Sequence, residues 1–178
     1  TAERGDFVVF EGPGGLEVVK RVMGVPGDTI AVEGGRVIVN GKEVQRERVE
    51  DFLMPISPNS PCRVVPPAVP MTRQIADGGQ ACAYPSYRQT LPRSRSFTIV
   101  DQSDSNPADN FGPVTVPQGH IFVMGDNRDD SLDSRYPVIS GGMGYVPMDR
   151  VVGRAELAFW STDGSASWLN PLSWFSAL

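Results

Sequence analysis

The sequence is poor in the residues that most often carry chemistry. Histidine occurs once, at His120, and cysteine twice, at Cys62 and Cys82. A structural zinc site takes four nitrogen or sulfur ligands, so this set argues against one, and no metal or other cofactor is expected. A Ser-His-Asp protease would have to use His120. In Pro117-Gln118-Gly119-His120 it stands at the start of a strand-like run, where packing or hydrogen bonding is its ordinary role. Lysine is equally scarce: Lys20 and Lys42 stand alone among 16 basic residues, the rest being arginine. No apolar run approaches the about 18 residues that cross a bilayer. The chain has no initiator Met and opens almost directly on Asp6-Phe7-Val8-Val9-Phe10, so it reads as a piece of a longer protein. A mature protein freed of its leader is the alternative. Positive charge is also short. A net charge of −5 and a pI near 4.9 give no long-range attraction to phosphate backbones, so nucleic acid is not an expected partner.

What is abundant is Gly (19) and Pro (16), which favours short strands and turns over long helices. Strand-like runs fall at 6–10, 16–23, 29–33, 36–39 and 42–44. Gly12-Pro13-Gly14-Gly15, Gly34-Gly35 and Asn40-Gly41 punctuate them as turns, the last a strong hairpin signal. Strand signals return at 114–117, 121–124 and 151–160. Between about 45 and 112 the chain is rich in Pro, Ser and Arg and weakly periodic, although Phe97-Thr98-Ile99-Val100 reads as a strand. The expected fold is mainly β: an antiparallel β-meander or barrel-like catalytic core from residues 1–44 and 113–178, with 45–112 as an inserted, irregular β subdomain.

Two segments could carry chemistry. Alternate residues of a strand share a face, so Lys20 lies with Leu16, Val18 and Val22, and Arg21 points the other way with Val19 and Met23. An amine held among aliphatics is desolvated, which lowers its pKa and suits it to act as a base. The plainer reading is an edge lysine whose stem packs while its head reaches water. Lys42, beside Asn-Gly, reads as solvated. The second segment is Met124-Gly125-Asp126-Asn127-Arg128-Asp129-Asp130-Ser131-Leu132-Asp133-Ser134-Arg135. Its density of polar groups after a core strand suggests a hydrogen-bonded functional loop. Asp126, Asp130 and Asp133 could supply oxygens to a metal, but the spacing lacks the central Gly and closing Glu of a Ca²⁺ loop. A solvated acidic turn is the plain alternative.

Taken together, Gly5-Asp6-Phe7-Val8-Val9-Phe10, then Lys20-Arg21-Val22-Met23-Gly24-Val25-Pro26-Gly27-Asp28, then the 125–135 run resemble three ordered signature boxes of bacterial type I signal peptidases, serine proteases of the Ser/Lys type. The tail, from Phe159-Trp160-Ser161 through Ser173-Trp174-Phe175, is similar to that of alphaproteobacterial members. The resemblance implies an endopeptidase that removes signal peptides from preproteins at small-x-small sites, anchored in the bacterial inner membrane with its catalytic domain on the periplasmic side. It implies Lys20 as general base, Ser131 bonding and aiming its amine, Arg21 paired with Asp126, and Asp133 paired with Arg135. Val9, Val18 and Val19 fall where members build shallow apolar substrate pockets. The nucleophilic serine is expected upstream of this chain, in a segment following a membrane span; no serine present here matches that box.

An oxidising compartment, in turn, makes a Cys62–Cys82 disulfide an expectation, with two free thiols as the alternative. Trp168, Trp174 and Phe175 are expected to meet the lipid surface, since tryptophan suits the membrane interface, while Trp160 is read as core. The expected partners are preprotein signal peptides and the membrane, and the protein is expected to be a monomer. A related peptidase for conjugation, a self-cleaving repressor and a non-catalytic peptide-binding β module are the competing readings.

Overall fold

The computed structural model describes residues 2–155, apart from 59, 67, 77, 93 and 95. The aromatic cluster of Trp160, Trp168, Trp174 and Phe175 therefore lies outside the described residues. Thirteen strands follow in chain order: β1 (Phe7–Glu11), β2 (Glu17–Gly24), β3 (Thr29–Glu33), β4 (Arg36–Val39), β5 (Lys42–Glu43), β6 (Gln45–Pro55), β7 (Thr72–Gln74), β8 (Gln80–Thr90), β9 (Ser96–Val100), β10 (Phe111–Thr115), β11 (His120–Met124), β12 (Val146–Pro147) and β13 (Val151–Arg154). They pair antiparallel in three open sheets, without a closed barrel among the described residues. The first has the order β12-β11-β2-β1-β13, the second β10-β3-β4-β5, and the third is built on β8, which pairs with β6, β7 and β9.

The first sheet is apolar on both faces because its two central strands alternate between two cores. On β2, Val22 enters one core and Met23 the other; on β11, Ile121 and Val123 face one and Phe122 and Met124 the other. The first core gathers Met23, Ile30, Val37, Leu91, Phe122 and Met124 between the first and second sheets. The second gathers Val8, Phe10, Val22, Ile121, Val123 and Val146 on the opposite face. Each fully buried Val, Leu, Ile or Phe side chain contributes about 1.5–3 kcal/mol. Alternation therefore fixes the register of β2 firmly, since a slip of one residue would exchange its two faces.

The Asn40-Gly41 turn closes the β4–β5 hairpin with both residues at positive φ, 52° and 73°, as a two-residue turn of that twist requires. Asn40 also ties the turn to the neighbouring loop: its Oδ1 accepts from Thr29 N–H (2.8 Å) and its Nδ2 donates to Asp28 Oδ1 (2.9 Å).

The 45–112 stretch departs from its irregular sequence reading. Its third sheet contains two strands of 11 residues, β6 and β8. The signal for β6 was hidden because the strand is mostly exposed, its residues alternating little between inside and outside. Backbone pairing to β8 along nearly its whole length holds it, and polar side chains suffice for that. Cys62 and Cys82 are joined in a disulfide with Cα atoms 5.7 Å apart, fastening the irregular segment after β6 to β8.

Asp28, at the turn between β2 and β3, gathers four donors from three residues. Arg4 Nε and Nη2 (2.6 and 2.5 Å), Val25 N–H (2.9 Å) and Asn40 Nδ2 all donate to it. Burial pushes its carboxyl pKa up, but these hydrogen bonds and the Arg4 charge outweigh burial and hold it below the ordinary value. A depressed folded pKa adds stability above the unfolded value of about 3.9. That contribution is lost as pH falls from about 4 through the folded pKa. Urea titrations should show Asp28→Ala less stable by about 2 kcal/mol at pH 7, and the difference from wild type should shrink at pH 3. An equal difference at both pH values would contradict this account.

Candidate active site

Successive residues of β2 leave the strand on opposite faces, so Lys20 and Arg21 cannot share a partner. Lys20 lies opposite Val8 and Arg21 opposite Phe7 in the β1–β2 pairing. Both meet the loop that follows β11. Lys20 Nζ donates to Ser131 Oγ at 2.7 Å. Arg21 forms a two-pronged pair with Asp126, Nε to Oδ1 at 2.8 Å and Nη2 to Oδ2 at 2.7 Å, and donates through Nη1 to Gly5 O at 2.7 Å. Its guanidinium is sandwiched between the rings of Phe7 (3.8 Å) and Phe97 (4.0 Å). A buried charge needs this degree of pairing, because one left alone after loss of its partner costs about 3–5 kcal/mol.

The loop is internally fastened as well. Asp133 accepts from Arg135 Nε and Nη2 (both 2.9 Å) and from Gly125 N–H (3.0 Å), and this ion pair is almost wholly buried. Ser134 exchanges hydrogen bonds with Val123, through its backbone N–H and its Oγ. Gly125 is required by close approach: a Cβ there would stand 2.3 Å from Ser131 Oγ. Lys20 is half-buried. Burial lowers its pKa; the positive charge of Arg135 acts in the same direction, and Asp133 and Asp130 oppose it. The net shift is downward, toward a free amine.

Val18 shares the Lys20 face and packs on the second core, whereas Val9 and Val19 pair across β1 and β2 on the other face, Val19 exposed. Leu16 departs from its sequence reading. It precedes β2 and is 72% exposed, so it adds nothing to the desolvation of Lys20. β11 pairs with β2 only from Arg21 to Gly24, leaving the edge of β2 over residues 17–20 without a partner strand among the described residues. The His120 ring bonds the Gln118 carbonyl. Asp126, Asp130 and Asp133 do not converge on a common point, because each pairs with a different arginine: Arg21, Arg63 and Arg135.

Several supporting residues had no assigned role in the sequence. Arg128 is buried and bonds Gln89 Oε1 (2.5 Å) and Gly125 O (3.2 Å); burial first, then the charge of Arg135, lowers its pKa to about 10. Asp129 accepts from Gln102 N–H (2.6 Å) and Ser103 N–H (3.2 Å). Asp101 and Asp109 stand beside it in a buried acidic group. Burial, opposed by Arg46 and reinforced by Asp129 and Asp109, raises the Asp101 carboxyl to about 7. Asp129 and Arg128 belong to the polar run recognisable in the sequence. Asp101, Gln89 and Phe97 come from the third sheet, and nothing in their spacing points to the loop.

The result is an antiparallel β protein in which a half-buried lysine donates to a buried serine beside an open strand edge. The sequence matches the family described as "Signal peptidase, peptidase S26" over residues 1–160, and the chain belongs to that family. It is 29% identical over 168 residues to the signal peptidase I of Rickettsia typhi (strain ATCC VR-144 / Wilmington), and equally to that of Rickettsia prowazekii (strain Madrid E). Each match covers 90% of this chain and 53% of the relative. The chain thus spans about half the length of these curated relatives. A crystal structure of a signal peptidase I from Enterococcus faecalis V583 is similar with a TM-score of 0.45 and 25% identity, covering 88% of this chain and 97% of that one.

In a Lys42→Ala background the single remaining lysine can be followed by NMR of its side-chain carbons. Its titration is expected below the ordinary lysine value of about 10.4. Gly125→Ala, which pushes Ser131 away, should change that titration. A midpoint at or above the ordinary value in the parent would refute the desolvated site.

Proposed function

We propose that this chain is the base-bearing part of an endopeptidase that removes signal peptides from exported preproteins at small-x-small sites. The carrying observation is the 2.7 Å contact between the Lys20 amine and Ser131 Oγ on a desolvated strand face. The nucleophile is a serine contributed from outside this chain. The neutral Lys20 amine takes the proton of that serine hydroxyl as its oxygen attacks the scissile carbonyl. The resulting ammonium returns the proton to the departing amine, and water then hydrolyses the acyl-enzyme with Lys20 again as base. Ser131 fixes the direction of the amine. Arg21–Asp126 and Asp133–Arg135 hold the strand and loop at that spacing. An extended peptide adds to the open edge of β2 at residues 17–20, its backbone bonding the strand and its small side chains selected by Val9, Val18 and Val19.

The same contact supports a second reading, in which Ser131 is itself the nucleophile. Against it, Ser131 is 8% exposed, and it belongs to the 125–135 run rather than to the upstream segment in which the resemblance places the nucleophile. In the full-length protein, Lys20→Ala should remove cleavage while the fold survives, and Lys42→Ala should be silent. Ser131→Ala should lower kcat by about a hundredfold, the scale of a misplaced catalytic group. The acid limb of the pH–rate profile should fall below the ordinary lysine value, since only the deprotonated amine is a base. Complete loss in Ser131→Ala would favour the second reading; full activity in Lys20→Ala would end both, since neither has another base, and no cleavage by the wild-type protein would leave a peptide-binding module.

The site of action we infer is the bacterial inner membrane, with this domain on the periplasmic side and Trp168, Trp174 and Phe175 at the lipid surface. Single-tryptophan variants should show a blue shift with anionic vesicles and quenching by lipid-embedded quenchers at Trp168 and Trp174. Absence of both would remove the membrane contact.

A further inference from the structure

We propose that Val65 is a specificity-determining residue of the peptide cleft, carried there by a fastened segment of the third sheet. The proposal rests on the peptidase reading above. Beside Lys20 lies an open cavity of about 460 Å³, whose apolar wall is made by Val65, Leu132, Tyr136 and Met143. Among the described residues, Val65 is the one lining residue from the 45–112 stretch; the others come from β2 or from residues 129–143. None of Val9, Val18 and Val19 lines this cavity, so it addresses a different residue of the peptide from those valines.

The segment that delivers Val65 is held at several points within four residues. Cys62 is bonded to Cys82 on β8, a strand paired on both edges. Arg63 N–H donates to the Tyr84 hydroxyl at 3.0 Å, and Val65 N–H to Gln102 Oε1 at 3.2 Å. The Arg63 guanidinium pairs with Asp130, the residue before Ser131, at 3.1 Å. That pair is largely exposed and contributes little alone, so the disulfide and the two backbone bonds set the position. Beneath the segment, a space of only about 30 Å³ remains among Val64, Ala68, Val69 and the residues of β8. A wall so supported does not yield to a large substrate side chain, and a branched residue at 65 sets the size that enters.

The test uses the full-length protein and a peptide panel in which each position flanking the cleavage site carries Ala, Val, Leu or Phe in turn. Val65→Ala should raise, and Val65→Phe lower, the relative kcat/KM for large residues at one substrate position by about tenfold, the scale of one to two methylenes in a pocket. Peptides with Ala at that position should change least. A Cys62→Ser, Cys82→Ser variant should flatten the preference at the same position while leaving the pH–rate profile unchanged. If Val65→Phe folds poorly, Val65→Ala carries the same test with the opposite sign. Variants that change all peptides by one common factor, or none, overturn the proposal while the peptidase reading stands. A wild-type protein that cleaves no peptide overturns that reading, and the role of Val65 with it.

Discussion

Lys20 and Arg21 are neighbours in the chain and opposites in space. The two-residue period of β2 sends one side chain toward each core, and each brings a charge or potential charge into a region with little water. One loop answers both. Asp126 neutralises Arg21 on one face, and Ser131 meets the Lys20 amine on the other. The loop from Asp126 to Ser131 must therefore straddle the edge of the sheet at a fixed height, and most of the polar structure around the site serves that requirement.

The unequal treatment of the two cations is what gives the site its chemistry. Arg21 receives a carboxylate, a carbonyl and two aromatic faces, and its charge is kept. Lys20 receives a neutral hydroxyl. Asp133, close enough to favour the ammonium, is already engaged by Arg135, whose own charge disfavours it. Burial then prevails, and the Lys20 pKa is lowered from its ordinary value. A carboxylate moved from Arg135 to Lys20 would favour the ammonium and make an ordinary ion pair of it.

The third sheet is joined to this site more closely than an appended domain would be. The end of β9 bridges to Asn127 in parallel fashion, Val100 bonding Asp126 O and Arg128 N–H. Phe97 covers Arg21, Gln89 accepts from Arg128, and residues 102 and 103 donate to Asp129. The loop bearing Ser131 is thus held between β11 and a sheet that begins far away in sequence. Loops carry function when a rigid scaffold positions them, and here two sheets share that work.

The sequence by itself determined the strands with strong alternation, the Asn40-Gly41 hairpin, and the opposite facing of Lys20 and Arg21. These are local consequences of β geometry and turn chemistry, and the period of two is written in the residues themselves. The polar run from Gly125 to Arg135 was equally legible, but which of its residues meet Lys20 and Arg21 came only from the resemblance to signal peptidases. Tertiary structure alone decided the rest. The exposure of Leu16 follows from where β2 begins, and the length of β6 from pairing with β8, which lies well beyond it in the chain. The depressed pKa of Lys20 comes first from its burial, with Asp133 and Asp130 opposing the shift and Arg135 reinforcing it. The presence of Phe97, Gln89 and Val65 around the site depends on how three sheets come together. Those contacts join residues distant in the chain, and no local pattern of hydrophobicity or turn signals encodes which of them will meet.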